Sequence, residues 1–305
     1  MIAILGAFVA DTTYRADRAP HMGETIFGNS FALGPGGKGS NQAVAASRAN
    51  GDVHFISRLG HDHFAAMALS TWAEAGVTAH ITQHADTYTG AAHIFVEEAS
   101  GDNAIIVCPG AANTISPADV EKSKHVIEQA SVFMTQLEQP AQAAMRGLEV
   151  ARASGATTIL NPAPAAELPQ GMLALCDIVT PNESEAEALT GIKVETPEDA
   201  DRAADQFLQA GVGAAIITLG AQGAYYKDAK QAFLVPAMNA GPVVETTGAG
   251  DAFNGGLATA LAESMLPKDA VRFGCATAGL SVTRAGTAPS MPTRAEIDAL
   301  LGAVG

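Results

Sequence analysis

Residues 245 to 256 read ETTGAGDAFNGG. Gly-Ala-Gly makes a poor strand and a poor helix interior, but it suits a tight turn with outward-facing amides. An alanine-rich apolar run follows directly, so the amides of Gly248, Ala249 and Gly250 are expected at a helix N-terminus. Unpaired N–H donors and the positive end of a helix dipole together form an anion site. Asp251 beside them has two readings. It either complements the helix dipole, or it is a general base next to a phosphate that the turn has neutralised. The pattern is not a Walker A loop, because the only Gly-Lys pair, Gly37–Lys38, is followed by Gly39. It is not a dinucleotide fingerprint either. GAGDAF lacks the last glycine and lies near the C-terminal end rather than after the first strand.

Other polar clusters have simpler readings. NESE at 182–185 suits an Asn cap followed by acids in the first helical turn. Its spacing also puts Asn182 and Glu185 on one helix face. HDH at 61–63 could suggest a metal, but an Asp N-cap is sufficient reason for it. Lys38 lies between glycines on both sides, which is unusual for an ordinary surface lysine.

These residues need elements to hold them. Apolar residues make up 48% of the 305, enough for a large core without staples. Ile2–Ala10 reads as one buried first strand, too short and without the basic flank of a signal peptide. Helices are expected over 63–75, 140–154, 183–190, 197–210, 250–264, 267–284 and 293–303. The strand-like runs VFMTQL, TTILNPA, DIVTPN and AAIITLG alternate with the middle members of that series. Alternating strands and helices predict an α/β fold, a doubly wound and mostly parallel sheet with helices on both faces. Segments 13–35 and 87–108 differ: they carry β pieces, one of them a hairpin turning at EASGDN. They are expected to form a small β-sheet lid on a core made of 1–12, 36–86 and 109–305. The net charge of −15, with no Lys/Arg run, argues against nucleic acid and membrane partners. An anionic substrate must therefore be met by backbone amides or a metal. Cys108, Cys176 and Cys275 are scattered, which fits a reducing cytoplasm better than a disulfide framework.

GPGGKGSNQAVAA at 34–46 and ETTGAGDAFNGG at 245–256 resemble the two signature regions of the ribokinase-like (PfkB) carbohydrate kinases. MTQLEQP, LNPAPA, VTPNESEAE and ITLGAQG lie between them in the family's order, and the resemblance covers essentially the whole chain. It implies phosphoryl transfer from ATP to a sugar hydroxyl, with the 5-hydroxyl of ribose as the leading acceptor. Asp251 then matches the base, expected to have a low pKa at a helix N-terminus, and Gly248, Ala249 and Gly250 match the anion hole. Asp11, Gly36, Gly37, Lys38, Asn41 and Glu138 match the sugar site, although Asp11 and Glu138 taken alone read as solvated acids. Asn182, Thr218, Gly220, Gly223 and Gly250 match the nucleotide site, and Glu185 a water-mediated Mg²⁺ contact. Cys275 falls at the adenine slot and is expected to pack rather than stack. The lid implies a homodimer clasp.

Two positions depart from the pattern. Val9 stands where the family's ribose enzymes carry Asn, two residues before the gripping acid. An amide partner for a sugar hydroxyl is thereby lost, so 2-deoxyribose, a nucleoside or another furanose becomes an alternative acceptor. Glu245 replaces the Asp of a monovalent-cation site whose other members map to Thr247, Ser281, Arg284, Gly286 and Ser290. K⁺ binding through that longer carboxylate, and Glu245 as a mere strand end, both stay open. A non-catalytic sugar or nucleotide sensor on the same fold is the alternative from outside catalysis.

Overall fold

The protein was analysed as a computed structural model that describes residues 1–303. In chain order the strands are β1 (Ile2–Leu5), β2 (Val9–Ala16), β3 (Ser30–Gly36), β4 (Val53–Gly60), β5 (Thr78–His84), β6 (Thr89–Glu97) and β7 (Asn103–Gly110). They continue with β8 (Val132–Thr135), β9 (Thr157–Leu160), β10 (Ile178–Val179), β11 (Ala214–Thr218), β12 (Ala224–Asp228) and β13 (Ala232–Val235). The helices are α1 (Lys38–Arg48), α2 (His63–Ala75), α3 (Pro117–Lys122), α4 (Lys124–Ile127), α5 (Ala141–Ala153), α6 (Glu183–Thr190), α7 (Pro197–Gln209), α8 (Ala249–Ala262), α9 (Pro267–Ser281) and α10 (Arg294–Ala303).

Nine strands form one sheet in the order β13-β12-β11-β10-β9-β8-β1-β4-β5, all running one way except β12, which pairs antiparallel with both β11 and β13. Its interior strand β1 is covered on both faces. Ile2 and Ile4 of β1 pack into one cluster with α1, α2, α8, α9 and α10. Ala3 and Leu5 pack into the other, with α3, α5, α6 and α7. A parallel strand covered on both faces reads as a continuous apolar run, and IAIL is such a run. The expectation of a mostly parallel sheet with helices on both faces is met.

The second sheet has the order β3-β2-β6-β7. Here one expectation is corrected. Ile2–Ala10 is not a single strand: β1 ends at Leu5, and β2 starts at Val9 in the other sheet. The reason is the tight passage between them. A Cβ on Gly6 would lie 2.7 Å from the Gly39 Cα and 2.5 Å from the Gln136 Oε1. The chain can pass the start of α1 only as bare backbone, and it leaves the first sheet there. The edge strand β5 and the short helices α3 and α4 were not foreseen either. TAHITQH is largely exposed or half-buried, so it carries no apolar run for a sequence reading to find.

Asp62 caps α2, its Oδ1 accepting the Ala65 N–H at 2.8 Å, while its Oδ2 accepts the Thr89 N–H at 2.7 Å. HDH is therefore a cap and a tie between the two sheets. Among the described residues, no group of three or more His, Cys, Asp or Glu could hold a metal ion directly, and no helix is long and apolar enough to cross a membrane.

Candidate active site

A cavity of about 150 Å³ opens where the first sheet's strands end. Asn161 follows β9, Thr180 follows β10, and Thr218 ends β11; all three line it. The starts of three helices face them. Lys38 begins α1, Asn182 and Glu185 begin α6, and Gly248, Gly250 and Asp251 begin α8. Three positive helix ends around one cavity give an acidic protein a place for an anion.

Each helix start has a local cause. Gly37 sits before α1 with φ 86, and a Cβ there would lie 2.7 Å from the Ala7 carbonyl oxygen and 2.8 Å from the Val9 nitrogen. Only glycine meets both demands. Gly248 takes the left-handed conformation, φ 83, before α8. Asn182 and Glu185 form a capping box: Asn182 Oδ1 accepts the Glu185 N–H at 2.8 Å, and Glu185 Oε2 accepts the Asn182 N–H at 2.9 Å. The capping reading of NESE is therefore correct, and it leaves Glu185 Oε1 for the cavity that the residue lines. One matched amide is already used. Ala249 donates its N–H to the Thr246 carbonyl at 3.1 Å and does not line the cavity, whereas Gly248 and Gly250 do.

Asp251 is 7% exposed. Its Oδ2 accepts from Asn41 Nδ2 at 3.0 Å and its Oδ1 from Gln42 Nε2 at 3.1 Å. Burial drives its pKa above the ordinary carboxylate value, against the pull of Lys38, Asn41 and Gln42. This corrects the expected low pKa, because desolvation outweighs the helix end once the group is enclosed. Burial also acts against the charge of Lys38, but Asp251, Glu138 and Glu185 outweigh it and hold the ammonium above its usual range.

The matched sugar residues gather beside this point. Glu138 Oε2 accepts the Lys38 N–H at 2.7 Å, and burial pushes its carboxyl up to about 7. Asp11 is raised to about 6 by burial and by the charges of Asp251 and Glu245. Its carboxylate lies over Gly36, where a Cβ would come within 2.2 Å of Oδ2. Neither acid is a freely solvated one. Asn41 is buried, and its Oδ1 has no partner.

Other matched residues stand apart from the cavity. Gly223, φ 110, is glycine because a Cβ would meet the Val235 carbonyl oxygen at 2.0 Å; Gly220 opens the same short turn after β11. Cys275 is 5% exposed in the cluster under α9, and burial pushes its thiol up to about 12. Glu245 Oε2 accepts the Gly286 N–H at 2.8 Å. Ser281 and Ser290 donate their hydroxyls to the Ala278 and Thr287 carbonyls, and Arg284 pairs with Glu296. Thr247 is exposed just before the turn. A monovalent ion here would be held by main-chain oxygens and the free Glu245 oxygen.

Sequence reasoning missed Gln42, Gln136, Asn161, Thr180 and Asn254. Asn254 Nδ2 donates to the Gly250 carbonyl at 2.8 Å, and its Oδ1 accepts the Thr180 hydroxyl at 2.6 Å, which ties the α8 turn to β10. A signal was available. Gln42 is a long amide followed by AVAA in a helix packed by small residues, and such a residue is buried only for its hydrogen bonds.

A model of the pfkB family carbohydrate kinases matches residues 1–294. A ribokinase of Haemophilus influenzae is 38% identical over 97% of this chain and 96% of its own length. A deoxyribokinase of Salmonella typhimurium is 34% identical, covering 96% of this chain and 95% of its own. Among solved structures, an Arabidopsis thaliana ribokinase complexed with ribose and ATP superposes with a TM-score of 0.94 at 28% identity, over 98% of both chains.

Proposed function

This chain belongs to the pfkB family of carbohydrate kinases and is a phosphotransferase with an alcohol group as acceptor; we propose that it transfers the γ-phosphoryl group of ATP to the 5-hydroxyl of D-ribose, giving ribose 5-phosphate and ADP. The carrying observation is Asp251, a buried carboxylate at the edge of a cavity ringed by helix starts and facing Lys38. That pairing also speaks against a sensor without catalysis.

Asp251 takes the proton from the sugar hydroxyl, and the oxygen attacks the γ-phosphorus in line. Its raised pKa makes it a stronger base than a solvated aspartate. The Gly248 and Gly250 amides and the Lys38 ammonium meet the charge that grows on the transferred group. Asp11, Asn41 and Glu138, with the Gly36–Gly37 backbone, hold the sugar. The orphan Asn41 Oδ1 supports this, because a buried acceptor without a donor matches a ligand hydroxyl. Asn182, Thr218 and the Gly220–Gly223 turn lie along the nucleotide, and Cys275 packs beneath it. Glu185 suits Mg²⁺ held through water, since a lone carboxylate fits an ion that dehydrates reluctantly. When bound, that ion neutralises phosphate charge. K⁺ would sit beside Glu245, whose Oε2 is tied to the Gly286 N–H and whose other oxygen is free.

Val9 favours a second acceptor, 2-deoxyribose. It is 4% exposed and shares the Asp11 face of β2, so a hydrocarbon stands beside the sugar acid. ATP turnover measured with ribose, 2-deoxyribose, fructose and nucleosides decides between them. Ribose should give the highest kcat/KM; a silent ribose assay beside an active deoxyribose one would replace the acceptor named here. The same assay with Mg²⁺ chelated, and with Na⁺ in place of K⁺, tests the ions.

The lid supports a homodimer. Tyr14, Phe31, Leu33 and Ile106 lie on the sheet face opposite Asp11 by strand register, and they are 43%, 57%, 46% and 65% exposed. A contiguous apolar face of this kind needs a cover, and a second copy of the same face supplies one. Ile106→Asp should turn a sedimenting dimer into a monomer; a wild type that sediments as a monomer removes the clasp. The three free cysteines fit a reducing cytoplasm.

A further inference from the structure

We infer that Gln42 is a positioning residue that holds Asp251 ionised and in one orientation, through a one-way chain of buried side-chain amides. This rests on the reading of Asp251 as the base. The chain starts at the Thr180 main-chain carbonyl, which can only accept. Asn161 Nδ2 donates to it at 2.8 Å, so Asn161 must turn its oxygen the other way. Gln42 Nε2 supplies that oxygen with a donor at 3.0 Å. The second hydrogen of the same nitrogen goes to Asp251 Oδ1 at 3.1 Å. Gln42 Oε1 accepts from Gln136 Nε2 at 2.5 Å.

Gln42 cannot flip without placing oxygen against oxygen at two contacts and nitrogen against nitrogen at a third. Gln42 and Gln136 are both 0% exposed, so water cannot replace a lost partner. Asp251 Oδ1 therefore always meets an N–H, and Asn41 Nδ2 meets Oδ2 at 3.0 Å. A proton on either oxygen would face a donor, which favours the anion and fixes the carboxylate plane. The charged groups facing Asp251 divide. Lys38 of α1 favours the anion, while Asp11 of β2, Glu138 after β8 and Glu185 of α6 are carboxylates that couple to it unfavourably. Gln42, like Asn41, is a neutral donor, so its support does not vary as those acids titrate.

The test is the pH profile of kcat/KM, whose acidic limb reports the base of the free enzyme. Gln42→Met keeps the volume and removes the donor, and the limb should move up by roughly one pH unit, the equivalent of one charge-assisted hydrogen bond. The plateau above the limb should fall less than the low-pH arm. Gln42→Glu should move the limb further than Met, because a carboxylate then faces Asp251. A limb that stays put, with only a lower plateau, gives Gln42 a packing role and overturns the inference. Should Gln42→Met not fold, Gln42→Glu decides by itself, because it also replaces the donor facing Asp251 and must raise the limb; no shift there overturns the inference equally. Asp251→Asn measured in parallel separates the two claims. Full turnover in that variant removes the base itself, whereas a dead Asp251→Asn beside unshifted Gln42 variants removes only the amide chain.

Discussion

Asp251→Asn should lower kcat by about 10²- to 10⁴-fold, the usual contribution of a positioned general base. The substitution keeps the shape and removes the proton acceptor. Its structural cost is also foreseeable. Both carboxylate oxygens accept from amide donors, Asn41 Nδ2 and Gln42 Nε2. An Asn side chain must set its own NH₂ against one of them, leaving a buried donor unpaired at a cost of about 1–3 kcal/mol. Removing a charge that burial disfavours offsets part of this. The variant should therefore fold with a slightly lowered Tm and bind ATP with little change by calorimetry. Steady-state kinetics beside thermal unfolding separates the two effects, and near-wild-type turnover in a folded variant would end the base assignment.

Lys38→Met should lower kcat/KM by about 10²- to 10³-fold, the range for losing one preorganised group that faces developing charge. Met preserves the packing of the stem and removes the ammonium. Lys38 is the cation that Asp251, Glu138 and Glu185 all face. It pulls the pKa of Asp251 down against burial, so its loss must push that pKa further up. Glu138, already raised to about 7, should then carry a proton at neutral pH. The acidic limb of kcat/KM should thus move to higher pH while the plateau also falls. A variant with an unchanged limb would show that Lys38 and Asp251 do not share a field. This result differs from that of Gln42→Met, where the limb moves and the plateau is largely kept.

Much of the local chemistry was legible. The Gly-Ala-Gly run announces a tight turn at a helix start, and Gly248 takes φ 83 just before α8. NESE announces an Asn cap with acids in the first turn, and Asn182 caps α6. HDH announces an Asp cap, and Asp62 caps α2. These motifs depend on φ, on capping bonds and on residues a few positions apart, so the chain encodes them locally. The alternation of apolar runs was enough for the parallel sheet, because buried parallel strands and amphipathic helices each leave a periodic trace.

What failed was non-local. Ile2–Ala10 looked like one strand because apolar character does not show which sheet a residue joins; the Gly6–Gly39 approach decides that.

The alternation of strands and helices, the glycine turn and the acid beside it were determined by the sequence itself, since each follows from short-range sterics and hydrogen bonding. The protonation behaviour of that acid was decided only by the tertiary structure. Its partners Asn41 and Gln42 lie 210 and 209 residues away along the chain, and desolvation is a property of everything that closes around a group rather than of its neighbours in sequence.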